Sequence, residues 1–184
     1  MTDGSQTHHR TSIRLLGFDY TSSGAYFLTL VTDHRRCLFG DIVGEKIQPS
    51  SLGDIASEEW LAGPVHRPEI ELGAFCMMPN HLHAIISIVA HGQNLEGYPR
   101  VAPTPRGPGK GSIGALVSGY KAAVTRRYRR EKSDPNAAIW QRNYYEHVIR
   151  DQEDWNTIEA YIPDNPRRWA EDAENPQRTI AGVD

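Results

Sequence analysis

The sequence from residue 76 to residue 88 reads CMMPNHLHAIISI, which joins a turn signal, two histidines and a strand. The isoleucines that follow the histidines favour a β-strand, because branched side chains pack well on a pleated sheet. Side chains two residues apart in a strand point to the same face. His81 and His83 are therefore predicted to project side by side, while Leu82 packs on the other face. Two parallel imidazoles on a rigid strand can bind one metal ion.

The hydrophobic pattern on either side of this strand predicts an α+β fold. Strands and helices alternate as strand, helix, two strands, helix, strand and helix, at residues 25–32, 51–62, 69–78, 81–89, 113–131, 139–149 and 151–162. This order is close to a ferredoxin-like sandwich, an antiparallel sheet with its helices on one face. We expect a single domain over residues 12–169, with a flexible tail at 1–11 and a polar C-terminal tail at 170–184.

The composition excludes several classes of protein. The chain has 184 residues, of which 39% are hydrophobic, enough for one domain with a core. No apolar run is long enough to span a bilayer, and the polar N-terminal residues carry no secretion signal. Cys37 and Cys76 do not suggest a disulfide framework, and reduced thiols are the simpler interpretation. These features predict a cytoplasmic protein.

The charge is unevenly distributed along the chain. The net charge of −3 does not by itself indicate a nucleic-acid-binding protein. From Lys110 to Lys132, however, seven basic residues stand against one acid, Glu131. A basic segment of this kind can form a phosphate-binding face, or it can be a solvated helix face. Charge alone does not decide between the two.

Three stretches together resemble a known family. They read MPNHLH at residues 78–83, WQRNYYEHVIR at 140–150 and YIPDNPRRW at 161–169. The first carries the His-hydrophobic-His signature of the HUH endonucleases, which alone is weak evidence. The three motifs in this order resemble the REP-associated tyrosine transposases, a branch of the single-tyrosine transposases of insertion sequences. The resemblance covers roughly residues 11–169.

The resemblance implies an enzyme that cleaves and rejoins hairpin-bearing DNA. In this family a tyrosine attacks a phosphodiester, which leaves a covalent phosphotyrosine and a free 3′-hydroxyl. A divalent ion, Mg²⁺ or Mn²⁺, withdraws charge from the scissile phosphate. Tyr161 is the implied nucleophile, and His81, His83 and Asn165 are the implied metal ligands. The chemistry of two imidazoles alone would also allow zinc.

One residue departs from the family pattern. Asn165 stands four residues after Tyr161, a spacing that places both on the same helix face. Pro163 lies between them, and proline removes a helix hydrogen bond and crowds the preceding turn. We therefore expect the helix to end near Ile162 and Asn165 to reach the site through a turn.

The implied partner is single-stranded or hairpin DNA, with repetitive palindromic elements as the expected target. Basic residues would contact the phosphate backbone, and aromatic residues would stack on unpaired bases. The predicted contacts are Lys121, Arg126, Arg127, Arg129, Arg130, Tyr144 and Tyr145. His147 is either a neighbour of the active site or an edge-strand residue in solvent. The family implies a monomer, as in its REP-associated branch, or a homodimer that exchanges tyrosine helices.

Two alternatives to the transposase stay open at this point. A domesticated relative would bind palindromic DNA without cutting it. A metal-dependent hydrolase would instead use the two histidines to activate water, with no covalent intermediate.

Overall fold

The computed structural model describes residues 23–89 and 111–178. The predicted tail at 1–11 and the last six residues of the tail at 170–184 lie outside this range. Two short 3-10 helices, Asp33–Arg35 and Trp169–Glu171, accompany ten longer elements. These are β1 (Gly24–Val31), β2 (Gly40–Val43), β3 (Lys46–Pro49), α1 (Ser51–Leu61), α2 (Gly63–His66), β4 (Ile70–Met77), β5 (His81–Ile88), α3 (Ile113–Lys132), β6 (Tyr145–Ile149) and α4 (Gln152–Asp164). None of the described helices is both long and apolar enough to cross a membrane.

The main sheet has four strands in the order β4-β5-β1-β6, and every neighbouring pair is antiparallel. The predicted α+β class with an antiparallel sheet is confirmed. A separate hairpin of β2 and β3 was not predicted, because its strands have four residues each and are mostly exposed. Its turn uses Gly44 and Glu45 at φ 52° and 48°, as a two-residue hairpin turn requires.

The helices α1 and α3 cover one face of the sheet, which we call the helix face. Alternate residues of the central strands, including Leu28, Leu82 and Ile86, are buried there against the helices. The ring of Trp60 on α1 stands edge-on to Tyr120 on α3, with 5.2 Å between the ring centroids. This is the larger core of the described structure.

The last helix, α4, lies on the opposite face, which we call the site face. Its Ile162 is buried against Phe27 of β1 and Ile85 of β5. The helices were expected on one face of the sheet, and α4 differs from that expectation. An amphipathic pattern shows which side of a helix is buried, but not which face of the sheet is still uncovered when the helix packs.

Helix α4 ends two residues beyond the expected end near Ile162. The helix continues through Pro163 to Asp164, and Asn165 still has helical angles, φ −58° and ψ −42°. Pro163 has no N–H to donate to the carbonyl of Glu159, but it lies in the last turn, so only Asp164 and the capping residue Asn165 follow it. The side-chain Nδ2 of Asn165 donates to the carbonyls of Tyr161 and Ile162 at 2.8 and 3.2 Å. Asn165 is the capping residue directly after α4, and its αR angles keep it four residues along the same helical path from Tyr161.

Two irregularities adjust the strands at the edges of the sheet. Leu72 of β4 pairs with Ile86, but Phe75 pairs with Ala84, so β4 holds one extra residue in a bulge. Gly73 lies in that bulge, where a Cβ atom would come within 2.9 Å of Cβ of Ile85. The other edge strand, β6, is shorter than the predicted 139–149 and begins at Tyr145.

Candidate active site

The central strand β5 places two imidazoles on the site face. His81 and His83 pair with Val31 and Thr29 of β1, and both histidines are buried. Their Nε2 atoms lie 3.0 Å apart. The two rings lie side by side, as the alternation of a strand requires. Both nitrogens are thus directed at one point.

Asn80 determines which nitrogen of His81 carries the proton. Its Nδ2 donates to the carbonyls of Arg35 and Glu174 at 3.0 and 2.7 Å. Its Oδ1 must then face Nδ1 of His81, 2.8 Å away. Because an amide oxygen only accepts, Nδ1 of His81 is the donor. The lone pair of a neutral His81 is therefore on Nε2, the nitrogen that faces His83.

His83 has a more permissive partner. Its Nδ1 lies 2.9 Å from Oγ1 of Thr29, a hydroxyl that can accept or donate. Burial lowers the pKa of both imidazoles to about 3. Both are therefore neutral near pH 7, which is the state in which histidine binds a metal ion.

A carboxylate from outside the sheet completes a possible ligand set. Oδ2 of Asp172 lies 3.7 Å from Nε2 of His81, and the Asp172 side chain is 8% exposed. One atom of each of His81, His83 and Asp172 lies within 4.8 Å of the other two. Two neutral nitrogens and one carboxylate oxygen suit a divalent ion such as Mn²⁺ or Zn²⁺. The residues present therefore fit a bound metal.

Sequence reasoning missed Asp172 because no local pattern marks it. The residue lies in a polar segment that was interpreted as trailing, and it reaches the site through long-range contacts. Glu174 accepts from Asn80 through its carbonyl and pairs with Nε of Arg35 through its carboxylate, at 2.8 Å. The backbone N–H of Glu174 also donates to Oδ1 of Asp172 at 2.7 Å. These bonds hold residues 172–174 beside the histidines.

Tyr161 projects from α4 toward the same place. Its ring lies edge-on to His83, with 5.5 Å between centroids, and the side chain is 39% exposed. Burial and the charge of Asp172 raise the pKa of its phenol, and the charge of Arg168 acts in the opposite direction. An open cavity of about 300 Å³ adjoins the ring, and its lining includes His83, Tyr145, Tyr161, Asn165, Arg168 and Asp172. A phosphodiester entering this cavity would meet the phenol beside the ligand set.

Asn165 lines the same cavity as His83 and Asp172. It is 3% exposed, and its Nδ2 is engaged by the carbonyls at the end of α4. Its side chain also bonds to the Tyr161 phenol, which acts to lower the pKa of that phenol against the larger effect of burial. The structure therefore offers Asp172 in addition to the predicted Asn165.

The predicted aromatic contacts and His147 lie at different distances from the cavity. Tyr145 lines it, is 43% exposed and stands edge-on to Phe27. Tyr144 instead lies near Lys121, whose Nζ is 6.0 Å from the ring centroid. His147 is on the site face, but its Nε2 is 2.8 Å from Oδ2 of Asp154, so it links β6 to α4.

The predicted basic contacts are all on α3, which packs on the helix face, away from Tyr161. Nζ of Lys121 donates to the carbonyls of Gln141 and Asn143 at 2.9 and 3.0 Å. The remaining arginines either bond within the protein or are exposed. Arg127 pairs with Glu58, Glu59 and Glu131. Arg129 donates to the carbonyl of Ala137. Arg126 and Arg130 are exposed and make no ion pair within residues 23–89 and 111–178. The structure does not bring this group together with the histidines.

Comparison with known proteins gives two relatives from Haemophilus influenzae. An uncharacterized protein is 39% identical over 168 residues, which cover 90% of this chain and 92% of the relative. The chain belongs to the same family as that protein. A second protein, described as a "Putative REP-associated tyrosine transposase", is 24% identical over 157 residues, 80% of this chain and 73% of the relative. No protein-family profile matches the chain.

A solved structure shares the fold. It is a REP-associated tyrosine transposase bound to a REP hairpin, with a TM-score of 0.53 and 18% sequence identity. The match covers 86% of this chain and 74% of that chain. The resemblance inferred from the three motifs is confirmed by these comparisons.

Proposed function

We propose that this chain, which resembles the REP-associated tyrosine transposases in its motifs and fold, cleaves and rejoins single-stranded DNA through Tyr161. The observation that carries the proposal is the cavity in which the Tyr161 phenol meets His83 and Asp172. A nucleophile and a buried ligand set on two different elements converge there. Neither would be needed for packing alone.

In the proposed reaction the phenolic oxygen of Tyr161 attacks the scissile phosphorus. The new bond joins that oxygen to phosphorus, and the bond from phosphorus to the 3′-oxygen breaks. The phenol releases its proton to solvent, and the 3′-oxygen takes up a proton to become a hydroxyl. The phosphotyrosine retains a phosphodiester bond, so attack by a 3′-hydroxyl on it rejoins a strand without a nucleotide cofactor.

His81, His83 and Asp172 would hold the divalent ion, and Asn165, which lines the same cavity, is a further candidate ligand. A bound ion supplies charge withdrawal from the phosphate oxygens. Magnesium prefers oxygen ligands, so this donor set favours Mn²⁺ over Mg²⁺. Asn80 and Thr29 orient the two imidazoles through their Nδ1 atoms, the kind of outer contact that fixes metal ligands in place.

The proposed substrate is a DNA hairpin with unpaired flanks. The related solved structure holds a REP hairpin. In this chain the exposed ring of Tyr145 at the cavity can stack on an unpaired base beside the reacting phosphate. Arg126 and Arg130 of α3 are exposed and remain the predicted contacts with the DNA backbone.

The test is incubation of the protein with a hairpin oligonucleotide and Mn²⁺, followed by a denaturing gel. We expect a covalent protein–DNA adduct that is absent in Tyr161→Phe and present in Tyr128→Phe, a tyrosine on α3. Binding without cleavage by the wild type would favour the non-cutting DNA-binding protein. Cleavage that survives Tyr161→Phe would favour the hydrolase and would rule out Tyr161 as the nucleophile.

A further inference from the structure

The cavity beside Tyr161 has an unusual charge balance for a site that accepts a phosphate. Its lining includes three acids, Glu171, Asp172 and Glu174. Arg168 is the one lysine or arginine among the described lining residues. A phosphodiester brings a further negative charge into this space. Close like charges disfavour binding, so cations must offset them there.

Two of the three acids already have a counter-charge. Glu174 pairs with Arg35, and Asp172 would face the bound ion. Glu171 is exposed, and the incoming phosphate remains without a partner from the protein. Resting on the proposed function, we infer that Arg168 contacts the scissile phosphate beside Tyr161 and offsets its charge during attack.

The position of Arg168 fits this role. It lines the cavity that holds His83 and also a shallow depression on the outer side of the Tyr161 ring. It therefore stands where a strand would pass the phenol.

The backbone of Arg168 is fixed relative to the catalytic helix. Its N–H donates to the carbonyls of Asn165 and Asp164 at 3.0 and 3.3 Å, and its carbonyl accepts from the N–H of Glu171 at 2.9 Å. The guanidinium has no ion pair within residues 23–89 and 111–178. It is a planar fork of donors suited to two phosphate oxygens.

The neighbouring arginine provides a matched control. Arg167 is also exposed, but its Nε and Nη2 donate to the two carboxylate oxygens of Asp164 at 2.8 and 3.2 Å. It does not line the cavity that contains His83. Both side chains are exposed and positively charged, but only the guanidinium of Arg167 is already bound to a carboxylate of the protein.

The first measurement uses binding, so that it does not depend on the chemistry. In a Tyr161→Phe background, affinity for a hairpin oligonucleotide with unpaired flanks is measured across salt concentrations. Adding Arg168→Ala should reduce the slope of log affinity against log salt by about 0.7, the contribution of one phosphate contact on a single strand. Adding Arg167→Ala should leave the slope unchanged. An unchanged slope in Arg168→Ala overturns the inference.

The second measurement uses the rate of adduct formation with Mn²⁺ present. Arg168→Ala should slow it by roughly 10- to 100-fold, less than for a fully buried electrostatic contact because solvent screens the charge. Arg168→Lys should recover part of the rate, and millimolar guanidinium added to Arg168→Ala should recover part as well. A loss that neither lysine nor guanidinium reverses indicates a structural role and overturns the inference. If the wild type forms no adduct but the salt slope depends on Arg168, the proposed chemistry fails while the phosphate contact stands.

Discussion

The two faces of the central sheet differ in what their buried residues do. The helix face carries a cluster of twenty buried residues, almost all apolar, between the strands and the helices α1 and α3. The site face has three such residues in the described structure, Phe27, Ile85 and Ile162. It buries polar side chains instead, including Thr29, His81 and Asn165. One face therefore supplies most of the folding free energy, and the other accepts a smaller contribution in order to hold a reactive site.

This contrast also relocates the basic helix. Charge along the sequence predicts that α3 contacts the DNA, and the structure places α3 on the stabilising face with Arg126 and Arg130 exposed. Its Lys121 and Arg127 satisfy carbonyls and carboxylates of the protein itself. The cavity on the site face has one arginine, Arg168, among its described lining residues. A cluster of basic residues in a sequence therefore does not show on which face of the sheet their positive charge will lie.

The largest expected effect tests the difference in stability between the faces. Ile86→Ala, on the helix face, should lower the free energy of unfolding by about 2–5 kcal/mol, through lost burial and an unfilled cavity. Ile162→Ala should cost less, because the thin layer under α4 can collapse around the missing atoms. Urea denaturation measures both values. Ile162→Ala should nevertheless slow adduct formation more, since it loosens the helix that carries Tyr161. Equal losses of stability would contradict the contrast.

A second prediction concerns the polar support of the site face. Asn80→Ala removes the partner of the His81 Nδ1 and leaves two carbonyls without a donor, which should cost roughly 1–3 kcal/mol. It should also weaken Mn²⁺ binding about 10- to 100-fold, as loss of an outer contact to a metal ligand does. Thermal melts at increasing Mn²⁺ measure both effects. Asn156→Ala, on the outer side of α4, serves as the control. An undiminished Mn²⁺ shift in Asn80→Ala would show that Asn80 does not orient the ligand.

A third, smaller effect distinguishes arginines of α3 that stabilise the fold from those that contact DNA. Arg127→Ala should lower Tm by less than Asn80→Ala does, because exposed ion pairs contribute little. It should leave the salt dependence of hairpin binding unchanged, since the guanidinium is engaged by Glu58 and Glu59 of α1. Arg126→Ala, one residue earlier and without such partners in the described structure, is the comparison. A flatter salt slope in Arg127→Ala would place the paired residue itself at the DNA.

The smallest effect concerns the link between β6 and α4. The hydrogen bond from His147 lowers the pKa of Asp154. When folding lowers the pKa of a carboxyl, the ionised carboxylate stabilises the fold at any pH above the pKa of the unfolded chain, about 3.9. That contribution is lost as the pH falls through the lower pKa of the folded protein. The stability difference between the wild type and Asp154→Asn should therefore hold at pH 6 and shrink below about pH 4. Unfolding at several pH values measures it, with Glu153→Gln as a control. A difference that persists at low pH would exclude the ionised carboxylate as its source.

Local pattern predicted the parts of the site that one strand or one helix determines. The alternation of His81, Leu82 and His83 was sufficient to place the imidazoles together, because a strand has a period of two. The spacing of Tyr161 and Asn165 predicted a shared helix face, although Pro163 led to an expected helix end two residues too early. The antiparallel sheet followed from the order of its strands. These features need no information from distant residues.

Features that depend on long-range contacts were not predictable in the same way. Asp172 is held beside the histidines through Glu174, which contacts Asn80, ninety-four residues earlier, and also Arg35. The sidedness of α3 and α4 depends on which face of the sheet each helix finds uncovered. Neither property leaves a periodic signal in the sequence. A polar segment after the last motif can therefore contain a functional carboxylate without any local sign of it.

The bulge in β4 has a consequence for association between chains. β4 is an outer strand, and a regular outer strand exposes a row of unpaired backbone groups to which another chain can add. The extra residue at Gly73 breaks the spacing of that row and twists the strand locally. A straight strand from a second copy would lose its hydrogen-bond register halfway along. The irregularity that accommodates one glycine inside the sheet thus also discourages sheet-to-sheet polymerisation at this edge.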